Sequence, residues 1–299
     1  MGVNIKYKDS VFSWLFGDPD ILRELYGAIE GVQLPPDVPV TINTLEGVLY
    51  KARMNDISFE IGDKIVVLIE HQSTINKNMP LRLLLYIAKV YEKIIGDKNI
   101  YHQRRILLPL PEFIVLYNGT DPYPDESILR LSDSFNDPSE LGIAKADCMS
   151  LELVVKVYNI NKGHNEAILR RCKTLEGYSN FIAKVREYEG KVKTKDEAMK
   201  LAVNDCIAND ILKDFLKANV SEVINMLLTE WNWDDALAVS REEGREEGLE
   251  EGLEKGREEG LEEGLQKGQK TILDLVRQGY TAEQIEAMLA SRSSNSLSL

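Results

Sequence analysis

Apolar and polar positions segregate most clearly along residues 56–72, where Asp56-Ile-Ser-Phe-Glu-Ile61 alternates and Ile65-Val-Val-Leu-Ile69 is continuously apolar. Alternation is the signature of a half-buried strand. Gly62-Asp63 supplies turn chemistry, so the segment predicts a hairpin. Its register matters, because a one-residue slip moves every side chain to the other face. A two-residue loop would set Asp56 opposite Ile69. A three-residue loop over 62–64 pairs Ile61 with Ile65 and Asp56 with Glu70. Only the second leaves Ile57, Phe59, Ile61, Ile65, Val67 and Ile69 on one wholly apolar face, with Asp56, Ser58, Glu60, Val66, Leu68, Glu70 and Gln72 on the other. The apolar segregation selects it.

The same reading extends along the chain. A short helix over Ser10–Phe16 with Asp9 as cap is followed by one that Asp18 caps, Pro19 opens and Gly31 stops. Pro80 opens a helix that buries Leu83, Leu84, Ile87, Val90, Tyr91 and Ile94 and ends at Gly96. Phe113–Tyr117 reads as a central strand before the Asn118-Gly119 turn, and Leu151–Tyr158 as another strand. After Gly163 the periodicity is helical only. Thr194-x-x-Glu197 is a capping box ahead of Met199, Leu201, Ala202 and Ile207, and a further helix runs from Ser221 through Trp231. The expectation is an α/β core over 1–163, a helical layer over 164–240, a Gly/Glu-rich segment over 241–270 and a short helical hairpin with a loose end over 271–299.

From 244 to 268 a glycine falls at every fourth position. Positions four apart lie on neighbouring helical turns, so these glycines trace one slowly winding groove. Each costs a helix about 1 kcal/mol against Ala. Two readings fit: a solvated, partly frayed linker, or a helix whose groove admits a second helix at close range beside Leu249, Leu253, Leu261 and Leu265. The latter predicts a homo-oligomer, a dimer, through the C-terminal helical region.

Composition narrows the class. Hydrophobic residues at 43% and charged residues at 28% of 299 belong to a globular protein. No apolar run approaches the roughly 20 residues that span a bilayer, and the N-terminus lacks an apolar signal segment, so no membrane association and a cytoplasmic location are expected. Cys148, Cys172 and Cys206 lack metal-ligand spacing and read as reduced thiols. The net charge of −13 includes 11 acids against 6 bases in residues 241–270 alone. Any nucleic-acid contact must therefore come from a local basic patch or bound cations.

In the selected register, Asp56 and Glu70 converge at one end of the hairpin with Gln72 alongside. Two carboxylates at a strand end suit a hard cation such as Mg²⁺. Such a cation polarises a phosphodiester and lowers the pKa of water. Periodicity alone favours the plainer reading, in which both are polar ends of a buried hairpin.

The run Leu68-Ile-Glu-His-Gln-Ser73 with Asp56 upstream, Asp9-Ser-Val-Phe12, Met79-Pro-Leu-Arg82, Tyr117-Asn-Gly119, Thr229-Glu-Trp231 and the Gly/Glu tail together resemble the recombination-promoting nuclease/putative transposase family. That family lies in the PD-(D/E)XK nuclease superfamily, whose signature is an Asp followed by (Asp/Glu)-x-Lys on the next strand. The resemblance implies a restriction-endonuclease-like α/β core, with a mixed sheet flanked by helices, and an all-helical C-terminal extension. It implies Asp56 and Glu70 as metal ligands, Asp9 as an accessory carboxylate, and Gln72 in the lysine place, with Mg²⁺ or Mn²⁺ as cofactor and DNA as substrate. The implied activity is DNA endonuclease cleavage with loose sequence preference, in recombination, mobile-element biology or defence against foreign DNA. A glutamine can orient water but adds no positive charge. The alternative is a catalytically weak binding or regulatory protein that keeps the nuclease fold and assembles through its tail.

Other residues carry less. Alternation turns His71 away from Glu70 and Gln72, toward a packed role. His102 and His164 read as isolated structural residues. Arg82, with Lys77 nearby, suits either a phosphate contact or a solvated helix start. Lys98, His102, Arg104 and Arg105 form the best basic cluster, for a DNA backbone or for solvent.

Overall fold

The computed structural model describes residues 10–43, 56–97, 100–142 and 150–286, without the side chains of 56, 230–244, 246–247, 250–251 and 254. Six strands build one sheet: β1 (Val40–Ile42), β2 (Asp56–Ile61), β3 (Ile65–Gln72), β4 (Leu110–Tyr117), β5 (Glu126–Arg130) and β6 (Val154–Asn159), in the order β1-β2-β3-β4-β6-β5. Strands β3, β4 and β6 run parallel, and the other pairings are antiparallel. The helices are α1 (Val11–Leu15), α2 (Pro19–Glu30), α3 (Met79–Ile95), α4 (Glu166–Arg171), α5 (Lys173–Glu189), α6 (Lys195–Ala208), α7 (Lys213–Ala218) and α8 (Val220–Arg277). The architecture is the expected α/β one, a mixed sheet flanked by helices with a helical C-terminal region.

Each face of the sheet has its own core. Ile57, Phe59, Ile61, Val67, Ile69, Ile114 and Leu116 pack with α1, α2 and the helices after residue 163. Val66, Leu68, Phe113, Val115, Tyr117, Val155 and Val157 pack with Met79, Leu83, Ile87 and Val90 of α3. Covering on both faces explains the unbroken apolar run of β3. Lys156 of β6 ties α2 to the sheet through Glu30 (3.0 Å) and Glu112 (3.2 Å). Its burial works against the charge, but hydrogen bonds to both carboxylates raise its pKa.

Helix boundaries follow local chemistry. Asp18 accepts from the amides of Asp20 and Ile21, and Gly31 closes α2 at φ +72°. Thr194 caps α6 by accepting from the Glu197 amide. Ser10, not Asp9, caps α1, accepting from Ser13 N at 3.0 Å; Asp9 lies outside the described residues. Strands β1 and β5 were not anticipated, because both are short edge strands with largely exposed side chains and no apolar signal. Helix α6 turns Met199, Ala202 and Cys206 inward and leaves Leu201 37% exposed.

The chain divides into two compact units, residues 1–232 and 233–299. Helix α8 is continuous through the glycine repeat, so no break falls at 241. Within the second unit, the glycines at 248, 252, 256, 260, 264 and 268 have nothing among the described residues within 4 Å of an added Cβ. Leu249, Leu253, Leu261 and Leu265 are each at least 60% exposed. The helix ends before Gly279 at φ +88°, and Gln284 Oε1 then accepts from the Thr281 amide, one half of a capping box. Among the described residues no helix is long and apolar enough to cross a membrane.

Candidate active site

The hairpin takes the three-residue loop. Gly62 (φ +54°) and Asp63 (φ +53°) turn the chain, and Lys64 N donates to Ile61 O at 3.0 Å. Ile61 pairs with Ile65 and Asp56 with Glu70, the register that sends Ile57, Phe59 and Ile61 to one core with Val67 and Ile69. Asp56 therefore stands directly across from Glu70 at the C-terminal end of β3; its side chain lies outside the described residues. Glu60 shares that face but sits opposite Val66, four residues from the Glu70 end, and accepts from Asn43 Nδ2 at 2.6 Å.

Glu70 is 6% exposed and edges a shallow depression lined also by Ile57, Leu68, Leu83 and Tyr86. Gln72, two residues on and on the same face, donates from Nε2 to Glu70 Oε1 at 2.7 Å. The same nitrogen lies 2.8 Å from Met79 Sδ, at the first position of α3. Arg82, one turn further, places Nη1 3.0 Å from the same Glu70 oxygen. Sequence reasoning left Arg82 between a phosphate contact and solvent. The fold gives it a carboxylate partner, because α3 packs its N-terminus beside the C-terminal end of β3. Only tertiary packing signals that pairing.

Strand β4 ends beside this group. Asn118 N donates to Gln72 O at 2.8 Å, so the Asn118-Gly119 turn borders the end of β3. Arg186 from α5 donates to Asn118 O and, at 2.7 Å, to Asn161 Oδ1. A Cβ on Gly119 would sit 2.0 Å from Ser73 O, next to Gln72. Backbone cannot yield to that overlap cheaply. Gly119→Ala is expected to lose about 2–4 kcal/mol of stability, measured by urea unfolding, with the Gln72 amide resonance shifted.

Residues 47–161 match the family model described as putative transposase, YhgA-like. No curated protein and no solved structure matches the chain. The YhgA-like stretch includes strands β2 to β6 and α3, and hence Asp56, Glu70, Gln72, Arg82 and Gly119. The match and the observed fold are consistent with the transposase-like family of the PD-(D/E)XK superfamily that the motifs resemble.

The remaining candidates separate from Glu70. His71 points to the opposite core, stacked on Phe12 (4.7 Å between centroids) and edge-on to Tyr178, whose hydroxyl lies 3.2 Å from Nε2. Burial, with the Arg186 charge, lowers its pKa to about 3, so the ring is neutral. His164 is not isolated: its Nδ1 lies 2.6 Å from Asp125. His102, Arg104 and Arg105 are exposed in the loop before β4. Leu110, which follows the loop, pairs with Ile65 and Tyr117 with Gln72, so the loop enters β4 at the end of the strand away from Glu70, which pairs with Val115 five residues on. Five residues are about 16 Å along a strand. Lys98 and Cys148 lie outside the described residues. Cys172 and Cys206 are buried, which pushes their thiols up to about 12 and about 11 and keeps them unreactive.

Proposed function

We propose that this protein is a metal-dependent DNA endonuclease that hydrolyses phosphodiester bonds with loose sequence preference, serving recombination, mobile-element biology or defence. The observation that carries this reading is the register of β2 and β3, which sets Asp56 opposite a buried Glu70 at the end of the sheet. The donor set fits a hard cation, since both positions bring carboxylate oxygens and Mg²⁺ keeps several waters. Among the described residues no group of three His, Cys, Asp or Glu gathers, and the side chains of Asp56 and Asp9 are not among those described. Asp56 and Glu70 would hold Mg²⁺ or Mn²⁺, with Asp9 as an accessory carboxylate; the cation supplies positive charge for the phosphodiester and acidifies water. Gln72 orients Glu70 through its 2.7 Å hydrogen bond. A plasmid-nicking assay with Mg²⁺ or EDTA, and with Asp56→Ala as control, tests the proposal. Mg²⁺-dependent nicking that the variant loses supports it, and nicking equal in both proteins refutes the site.

The Arg82–Glu70 ion pair favours a second reading, a weak nuclease that binds and regulates, because a resident cation competes with Mg²⁺ for the same carboxylate. Cation-dependent DNA binding without nicking would select it.

For the tail we propose a homodimer through the second unit. The open glycine row and the exposed leucines beside it support close helix–helix approach. Replacing Gly252, Gly256 and Gly260 with Ala meets nothing among the described residues, and each change favours helix by about 1 kcal/mol. Helicity is therefore expected to rise while the mass in solution falls from dimer to monomer. An unchanged mass rejects the packed groove.

A further inference from the structure

Gln72 leaves the site without the positive charge that a lysine would bring to the carboxylate end of β3. The structure holds such a charge there from another element. Arg82 approaches from the first turn of α3, its side chain 31% exposed, with Nη1 3.0 Å from Glu70 Oε1 and 3.5 Å from Met79 Sδ. Gln72 Nε2 lies 2.7 Å from that same oxygen. One carboxylate oxygen thus accepts both the neutral amide and the guanidinium. An arginine stays charged at any working pH and its planar donors match phosphate oxygens as well as carboxylates.

We infer that Arg82 is the cationic group of this site: it neutralises Glu70 when no divalent cation is bound and is available to the substrate phosphate when one is. This rests on the nuclease reading and names a residue for it. Two consequences separate it from a purely structural ion pair. Removing the charge should tighten binding of a divalent cation at Glu70, because a like charge 3.0 Å from the ligand oxygen is gone. It should also weaken DNA, because one phosphate contact is lost, which lowers the salt dependence of binding by about one counterion.

The test compares wild type, Arg82→Gln and Arg82→Lys, each first checked by thermal melting. Ca²⁺ and Mn²⁺ affinity is measured by calorimetry, DNA affinity against salt is measured in Ca²⁺, and plasmid nicking is measured in Mg²⁺. Arg82→Gln is expected to bind the cation about threefold or more tighter, to show a shallower salt slope, and to nick at least about tenfold slower. Arg82→Lys should keep the wild-type cation affinity and most of the nicking. Arg82→Gln with unchanged or looser cation binding overturns the inference. So does Arg82→Lys binding the cation about threefold or more tighter than wild type and nicking about tenfold slower, an outcome readable even if the glutamine variant fails to fold. If wild type nicks and Arg82→Gln nicks equally, the inference fails while the nuclease reading stands. If wild type nicks nothing under any cation, both fall.

Discussion

Glu70→Ala is expected to eliminate Mg²⁺-dependent nicking while leaving the fold intact, and Asp56→Ala to do the same. Each substitution removes an anionic oxygen ligand, whereas Gln72→Ala removes only a hydrogen bond that orients one. Outer partners of this kind are worth about 10–100-fold in affinity or rate, so the Gln72 variant should retain measurable nicking where the carboxylate variants show none. Stability should respond in a different order. Truncating Glu70 strands the Arg82 guanidinium, two-thirds buried against Met79, and takes one acceptor from Gln72. A loss of about 1–3 kcal/mol is the usual scale for an unsatisfied buried polar group. Glu70→Gln keeps an acceptor oxygen in place and should recover part of that loss without recovering activity. Full nicking by either carboxylate variant would remove both residues from the chemistry.

His71 should make the protein acid-sensitive through a mechanism unrelated to catalysis. Phe12 and Tyr178 enclose the ring and Arg186 opposes its protonation, so its folded pKa falls from 6.5 to about 3. In the unfolded chain the imidazole takes up a proton below about pH 6.5, and the folded protein does not follow until about pH 3. The stability linked to His71 is therefore complete above pH 6.5, lost progressively as pH falls, and exhausted near pH 3. Each unit inside that window is worth at most about 1.4 kcal/mol, so the fall between pH 7 and 5 approaches 2 kcal/mol. His71→Gln retains an acceptor for the Tyr178 hydroxyl and removes the titration. Urea midpoints at pH 7.5, 6.0 and 5.0 should converge for wild type and variant as pH falls, after a deficit at pH 7.5 from lost stacking. Parallel lines across that range would show that folded His71 takes up its proton over the same pH range as the unfolded chain, overturning its burial as a neutral ring.

Among the 15 described residues from Asp56 to Gln72, excluding the turn pair, the side-chain alternation alone chose the hairpin register. Placing Ile57, Phe59, Ile61, Val67 and Ile69 on one face left only one loop length, and with it the juxtaposition of Asp56 and Glu70. Helix ends were equally legible where a capping side chain or a left-handed glycine closes them locally, as at Asp18, Gly31 and Thr194. His71 was assigned to packing by the same alternation, and it stacks on Phe12. These features depend on neighbours a few residues apart, and the chain states them directly.

What remained hidden depends on which distant elements meet. Edge strands β1 and β5 bury too little apolar surface to announce themselves, and exist because β2 and β6 offer them unpaired backbone. The basic cluster at 102–105 suited a DNA backbone or solvent, and its sequence did not show that the loop leads into β4 at the end away from Glu70, which the parallel pairing of β3 with β4 decides. Arg82 suited either a phosphate contact or solvent, and no acid lies within nine residues of it to suggest a carboxylate partner. Only the packing of α3 against β3, driven by Met79, Leu83, Ile87 and Val90 meeting Val66 and Leu68, carries its guanidinium to Glu70. Apolar patterning decides which faces are buried; the charges that come together at their rims are decided by the tertiary contact itself, because no short-range rule relates a strand carboxylate to a helix cation 12 residues away.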